Sequence, residues 1–460
     1  MKIKINNITK ILTLFLFSHL IIWTLIPSVS NNNLPLDTIE ALAWGSNLDW
    51  GFSKHPPLSA FIVEIFYQIF GSQDWAYYFL SQLFIILTFF IIFKFSKDFF
   101  NKPIYNLISI LLLEGIFFYN FTSPEFNVNI CQLPFWALTV LYAWKGFKNN
   151  NLNDWVLLGA FAALGFLSKY IFIYLLVSVA IITVYYLIKK EINFKCLIAF
   201  FIFLLILLPH LTWLMENNYT TINYAFHRSG QLNDSISNHF IYPITFVAKQ
   251  AGILIPFFLI LFTLITKFNF KINIKDRKLI FLLVINILPL LLVCLTSLFF
   301  GVKIRTMWMT PFYLFMGVLI VYLVQNNISS KRFKIFSITF LAFFLLSPIV
   351  YLYISISQTD KRTDYPGKEI SQIVESKWKE NFTNKIGLVG GDEWHGGNLS
   401  YHLSSRPKWD NILKSNSITN INNIQDGFVL IGDNDILIQI CTGIFLKVKN
   451  KGICMIGTNK

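Results

Sequence analysis

The chain has 460 residues, 55% of them hydrophobic, 17% aromatic and only 13% charged. A soluble protein of this size cannot hide that much apolar surface, so a bilayer must solvate it. A formal charge of +14 would point to nucleic acid in a soluble protein; here the cations gather in short loops between apolar spans, which marks membrane topology and argues against a nucleic-acid partner.

Lys2, Lys4 and Lys10 precede an apolar stretch at 11–29 that is rather long for a cleaved leader, and many equally hydrophobic spans follow. It reads as a retained first transmembrane helix. Eleven spans are expected, near residues 8–30, 76–95, 103–122, 128–146, 155–169, 170–188, 195–215, 245–267, 279–300, 307–325 and 335–355. A continuous crossing needs about 20 residues, so the short fifth span is expected to be tilted or broken.

With the N-terminus in the cytoplasm, the inner loops hold 19 lysines and arginines, including Lys94, Lys189, Lys267, Lys271, Arg277 and Lys331. The outer side of the membrane region keeps six: Lys54, Lys169, Arg228, Lys249, Lys303 and Arg305. The reverse orientation would invert the positive-inside bias. The tail then lies outside, in the periplasm of a Gram-negative cell. Asp37, Glu40, His55, Glu125, Lys169, His227, Arg228, Lys303 and Arg305 all fall at the outer surface. Ionisable groups at membrane depth are costly, which makes these candidates for function.

The expected division is a membrane domain over 1–355, with an outer loop at about 31–75, and a soluble domain over 356–460. The tail carries 11 of the 24 acidic residues and strand-like runs at Lys385–Val389, Phe428–Ile431 and Ile444–Val448, punctuated by Gly390-Gly391 and Gly396-Gly397. A small α/β domain fits. Cys441 and Cys454 could pair in an oxidising compartment, but two free thiols are the simpler reading. Asp392, Glu393, His395 and His402 match no tight metal-ligand spacing and read as a turn with surface acids. The Gly-Gly pairs lack the context of a nucleotide loop, so no nucleotide cofactor is expected.

Residues 36–70, LDTIEALAWGSNLDWGFSKHPPLSAFIVEIFYQIF, concentrate the chemistry. Asp37 and Glu40 follow the first span directly, one helical turn apart, and the polar knot Lys54-His55-Pro56-Pro57 follows a tryptophan-rich stretch. This arrangement resembles the multi-span glycosyltransferases of the GT-C fold that use a polyprenyl-phosphate sugar, and more narrowly the protein O-mannosyltransferase and lipid A aminoarabinose transferase branch. The resemblance implies a polytopic α-helical protein of about 11 transmembrane helices with a small extracytoplasmic α/β domain. It makes Asp37 the catalytic carboxylate, with Glu40 and His55 in support.

Further family landmarks recur in order. Thr122-Ser123-Pro124-Glu125-Phe126-Asn127 places a second acid, Glu125, where the family usually has aspartate. Its extra methylene puts any borrowed metal geometry in doubt; with Asp37 it is a candidate catalytic carboxylate that could bind an acceptor or a divalent cation, and a helix-start acid is the plain alternative. Lys54 departs from the acid or small polar residue that commonly precedes the histidine. Leu167-Ser168-Lys169-Tyr170 matches a recurrent Leu-Ser/Thr-Lys element; snorkelling is the plain alternative for Lys169. Pro209-His210-Leu211-Thr212-Trp213, Tyr224-Ala225-Phe226-His227-Arg228, Phe246–Gln250 and Lys303-Ile304-Arg305-Thr306-Met307-Trp308 match later landmarks.

Breaking an anomeric carbon–phosphate bond requires cations on the phosphate and a carboxylate by the incoming nucleophile. Lys169, Lys303 and Arg305 are assigned to the donor phosphate, with Arg228 a weaker fourth. The expected enzyme inverts the sugar and moves it, an aminosugar being one candidate, to an envelope acceptor, with lipid A preferred over protein. A flippase for lipid-linked sugars would instead show repeat symmetry and midplane charges, and the chain has no internal repeat.

Overall fold

A computed structural model describes residues 5–229, 235–266, 273, 275–411 and 426–459. Lys2, Lys4, Lys267 and Lys271 of the topology argument lie outside the described residues. The chain forms two compact units, one of Met1–Ile26, Trp50–Leu58 and Phe79–Tyr353, the other of Pro27–Asp49, Ser59–Tyr78 and Ile354–Lys460. The tail therefore folds with most of the first outer loop, while the short stretch around His55 folds with the membrane helices.

In the first unit, long apolar runs have no partner for their backbone in lipid other than themselves, and they become helices. Seven helices among the described residues are long and apolar enough to cross a bilayer: Asn7–Ser30, Asp74–Ser96, Tyr170–Ile188, Phe194–Glu216, Asn238–Phe262, Arg277–Phe300 and Ser330–Ser357. Thr306–Tyr313 and Met316–Asn327 would add an eighth as a span bent by 52°. The other three expected spans are also helical but short, at Pro103–Gly115, Leu133–Asn149 and Leu152–Ser168. Large apolar side chains such as Leu14, Phe201, Leu205 and Phe299 are exposed, as lipid permits.

Local polar chemistry sets the helix limits. Asp276 accepts from the amides of Lys278 and Leu279 and starts Arg277–Phe300; Asn151 accepts from the Asn153 amide and starts Leu152–Ser168. The expected span at 103–122 breaks at a polar knot, where the Asn120 amide donates to the Glu114 carbonyl and buried Glu114 lies 3.4 Å from His19. Small residues let helices meet: a Cβ on Gly159 would come within 2.3 Å of the Ala199 carbonyl oxygen.

The second unit holds a five-stranded sheet of β1 (Ile386–Gly390), β2 (Lys408–Asp410), β3 (Gly427–Gly432), β4 (Ile444–Val448) and β5 (Lys451–Ile456), in spatial order β2-β1-β3-β5-β4. β1 runs parallel to β2 and β3; β5 runs antiparallel to β3 and β4. Alternation in β3 sends Val429 and Ile431 into a core with Val374, Trp378, Leu399 and Ile453, while Phe428 and Leu430 pack with Leu437 on the other face. Two strands were not expected from the sequence. β2 has only three residues, and β5 follows a tight turn whose Lys449 takes a positive φ of 54°.

Cys441 and Cys454 form a disulfide, which corrects the reading of two free thiols. The bond closes a loop with a sequence separation of 13. Cys441→Ser is expected to lower the stability of this unit by about 3 kcal/mol, read as the midpoint of denaturant unfolding with and without reductant.

Candidate active site

The stretch from Trp50 to Leu58 is held in place by two straps within its own unit. His210, late in helix Leu197–Glu216, donates from Nδ1 to the Trp50 carbonyl at 2.6 Å, which leaves Nε2 to accept the Tyr170 hydroxyl at 2.7 Å. Thr221 donates to the Phe52 carbonyl at 2.9 Å, and the Phe52 amide closes a turn onto the His55 carbonyl. Pro56 and Pro57 are buried and stiffen the exit.

His55 sits half-buried at the tip of this turn, with its ring edge-on to Tyr224. Burial pushes its pKa down to about 3, and the positive charges of Lys169, Lys54 and Arg228 push in the same direction. The charges of Lys54 in the same turn, and of Lys169 and Arg228 from two other elements, thus all act on one imidazole. Lys169 follows helix Leu152–Ser168 in extended conformation and is only 8% exposed. Its ammonium donates to Asn129 Oδ1 at 2.6 Å and lies 5.4 Å from the Trp308 ring centroid. A snorkelling lysine keeps its head in water, and Lys169 does not. Arg228 ends helix Thr220–Arg228, and the neighbouring Ser229 carbonyl accepts from the Lys303 amide. Lys303 and Arg305 lie exposed in the segment that leads into Thr306–Tyr313, the helix that brings Trp308 to Lys169.

Glu125 is half-buried in the bend before helix Val128–Cys131. The N-cap there is Asn127, which accepts from the amides of Asn129 and Ile130, so Glu125 is not the helix-start acid. This bend also delivers Asn129 to Lys169. Asn129, Trp308 and Tyr224 are contacts that sequence reasoning missed. Asn129 lies two residues past the Glu125 motif and Trp308 closes the Lys303 motif, so proximity to a landmark was the available signal.

In the other unit, helix Leu36–Gly45 carries both carboxylates half-buried. Asp37 is its second residue, after an N-cap at Pro35, so it is not the cap; a carboxylate in the first turn is still favoured by the helix dipole. Glu40 follows one turn on. The Gly390–His395 loop is a turn in which exposed Asp392 accepts from the His395 amide and pairs with its ring at 2.7 Å; Glu393, read from the sequence as a surface acid, is instead buried. Among the described residues, no three His, Cys, Asp or Glu side chains gather as a metal site.

Residues 54–213, from the cationic turn to the strap at His210, match the family described as Dolichyl-phosphate-mannose-protein mannosyltransferase. Two solved structures share the fold of the whole chain. ArnT from Cupriavidus metallidurans bound to undecaprenyl phosphate aligns with a TM-score of 0.63 and 12% identity. The same protein in the apo state aligns with a TM-score of 0.58 and 13% identity. Each alignment covers 97% of this chain and 98% of the other. No curated protein matches the chain in sequence. At such identities the likeness is one of fold, the GT-C architecture with a small sheet domain at the C-terminus.

Proposed function

We propose that this chain, a GT-C glycosyltransferase by family match and architecture, moves a sugar from a polyprenyl-phosphate donor to lipid A on the periplasmic side of the inner membrane. The observation that carries the reading is the buried Lys169, held by Asn129 and Trp308, whose charge acts together with those of Lys54 and Arg228 on His55. Such a group of cations beside a neutral hydrogen-bonding ring suits a lipid-linked phosphate, and the structurally similar ArnT was solved with undecaprenyl phosphate.

The roles follow from charge flow. As the anomeric carbon–oxygen bond breaks, the leaving phosphate takes the electron pair, and the cations stabilise that charge. Lys303 and Arg305 add to the electropositive approach. The acceptor oxygen attacks from the opposite face, so the sugar inverts. With a hydroxyl acceptor, Asp37 takes the proton; with a lipid A phosphate no proton is released, and Asp37 orients the acceptor. Glu40, one turn on, supports Asp37, and Glu125 is the second candidate carboxylate for binding the acceptor.

The orientation behind this account has two supports: the bias of cations toward the inner loops, and a disulfide in the tail, which persists in oxidising compartments. Eleven crossings, with the three short helices counted as spans, satisfy both.

His55 gives a pH test. Its folded pKa lies below the unfolded 6.5, so the unfolded chain binds the proton first as pH falls. Its contribution to stability is whole above about pH 6.5 and is lost between about 6.5 and 3. Histidine NMR should show a neutral ring at pH 5, and undecaprenyl phosphate should raise the pKa by placing an anion among the cations. An unchanged titration would remove His55 from the phosphate site.

Mass spectrometry of lipid A from a deletion strain, complemented with wild type or with Asp37→Asn, tests the acceptor. A sugar-sized mass restored only by wild type supports lipid A. The family description favours a second reading, protein O-mannosylation; unchanged lipid A with a lost glycoprotein signal would establish it.

A further inference from the structure

We infer that Arg406, in the tail, is a positioning residue for the acidic helix Leu36–Gly45, an inference that rests on the reading of Asp37 as the catalytic carboxylate. One guanidinium joins three helices of the same unit. It donates to the Leu42 carbonyl in the last turn of Leu36–Gly45 at 2.7 Å, pairs with Glu64 of helix Leu58–Phe70, and reaches Ser400 Oγ of helix His395–His402 at 3.1 Å. Its carbon also lies 4.2 Å from the Tyr67 ring centroid. The second Glu64 oxygen accepts from Gln68, so the carboxylate is fully engaged.

The pair is buried, with side chains 12% and 6% exposed for Arg406 and Glu64. A buried ion pair gains little net stability over apolar residues, because both charges lose water. Arg406 also holds φ at 47°, a region that disfavours a side chain. An arrangement with so little to offer stability is explained by what it fixes: a cation at the C-terminal end of the acidic helix.

Other tail contacts set the same helix from its remaining sides. Gly397 meets it backbone to side chain, since a Cβ there would fall 3.0 Å from Ile39 Cγ2 and 3.1 Å from Ala43 Cβ. Past the helix, the Trp409 amide donates to Ser46 and Asn47 donates to the Trp409 carbonyl. Ahead of it, the Asn32 amide donates to the Thr363 carbonyl, and His402 bonds Asn33. Asp37 lies about 140° round the helix from the Ile39–Ala43 face, at 3.6 residues per turn. The tail thus sets rotation and axial position through the Ile39–Ala43 face and the two ends of the helix.

The test uses full-length protein in detergent, with a lipid extract of the parent cells as the source of donor and acceptor. Arg406→Lys keeps the charge but lacks the planar fork. The expected result is a turnover per donor-binding chain about 30-fold below wild type, with undecaprenyl phosphate still bound one per chain. Methylguanidine should restore at least a third of the rate to Arg406→Ala. Turnover per donor-binding chain equal to wild type overturns the inference, as does a loss that only tracks a falling donor-binding fraction. If Arg406→Lys fails to fold, Glu64→Gln serves the same comparison, with a loss of about 10-fold expected and wild-type turnover overturning it. An inactive wild type, or an active Asp37→Asn, would instead sink the functional reading on which this rests.

Discussion

Asp37→Asn is expected to lower sugar transfer to a hydroxyl acceptor by about 10²–10⁴-fold, the range for a lost general base, with membrane level and donor binding unchanged. The substitution is nearly isosteric, at the half-buried second residue of its helix. What it removes from the fold is the favourable interaction of a carboxylate with the helix N-terminus, about 0.3–1 kcal/mol. A purely structural acid would therefore shift the melting point slightly and leave transfer intact. The catalytic reading requires the reverse: a loss equivalent to about 3–5 kcal/mol of barrier with little change in stability. Glu40→Gln, one turn on, should lose less than a tenth as much.

Lys169→Met should weaken undecaprenyl phosphate binding by about 30–150-fold. Truncating one partner of a buried hydrogen-bonded charge contact costs about 2–5 kcal/mol, and the lowest third of that range, about 2–3 kcal/mol, fits a site where Lys54 and Arg228 remain. Stability should change less, because the variant loses a hydrogen bond to Asn129 and a ring contact with Trp308 while keeping a stem of similar shape. Lys169→Arg should not restore binding, since the longer planar group does not fit a position only 8% exposed. Isothermal binding to the lipid phosphate in detergent reads both variants.

The membrane class, the helical positions and the small sheet domain were legible because hydropathy and strand alternation are local signals. The count of crossings was not, because Pro103–Gly115 and Leu152–Ser168 are apolar by composition and yet too short for length to decide. Lys169 and Arg228 were singled out from their motifs, and the structure brings both to His55. Lys54, set aside as a departure from the family pattern, joins them; a difference in sequence pattern hid a shared charge. Lys303 and Arg305 stay at the neighbouring segment, joined to Arg228 through the main chain at Ser229.

The tail's engagement with the first outer loop had no local signature. Glu64 and Arg406 are 342 residues apart, and only a lone acid within the apolar run Leu58–Phe70 hinted at a distant cation. The Cys441–Cys454 bond was hidden for the same reason: it depends on the register of β4 against β5, and β5 itself went unread.

Native mass spectrometry of the purified protein with undecaprenyl phosphate, and with undecaprenol as the phosphate-free control, bears most directly on the donor assignment. The account predicts one phosphate-bearing lipid retained per wild-type chain, little undecaprenol, and loss of the adduct in Lys169→Met. Equal retention of both lipids, or an adduct indifferent to Lys169, would contradict it.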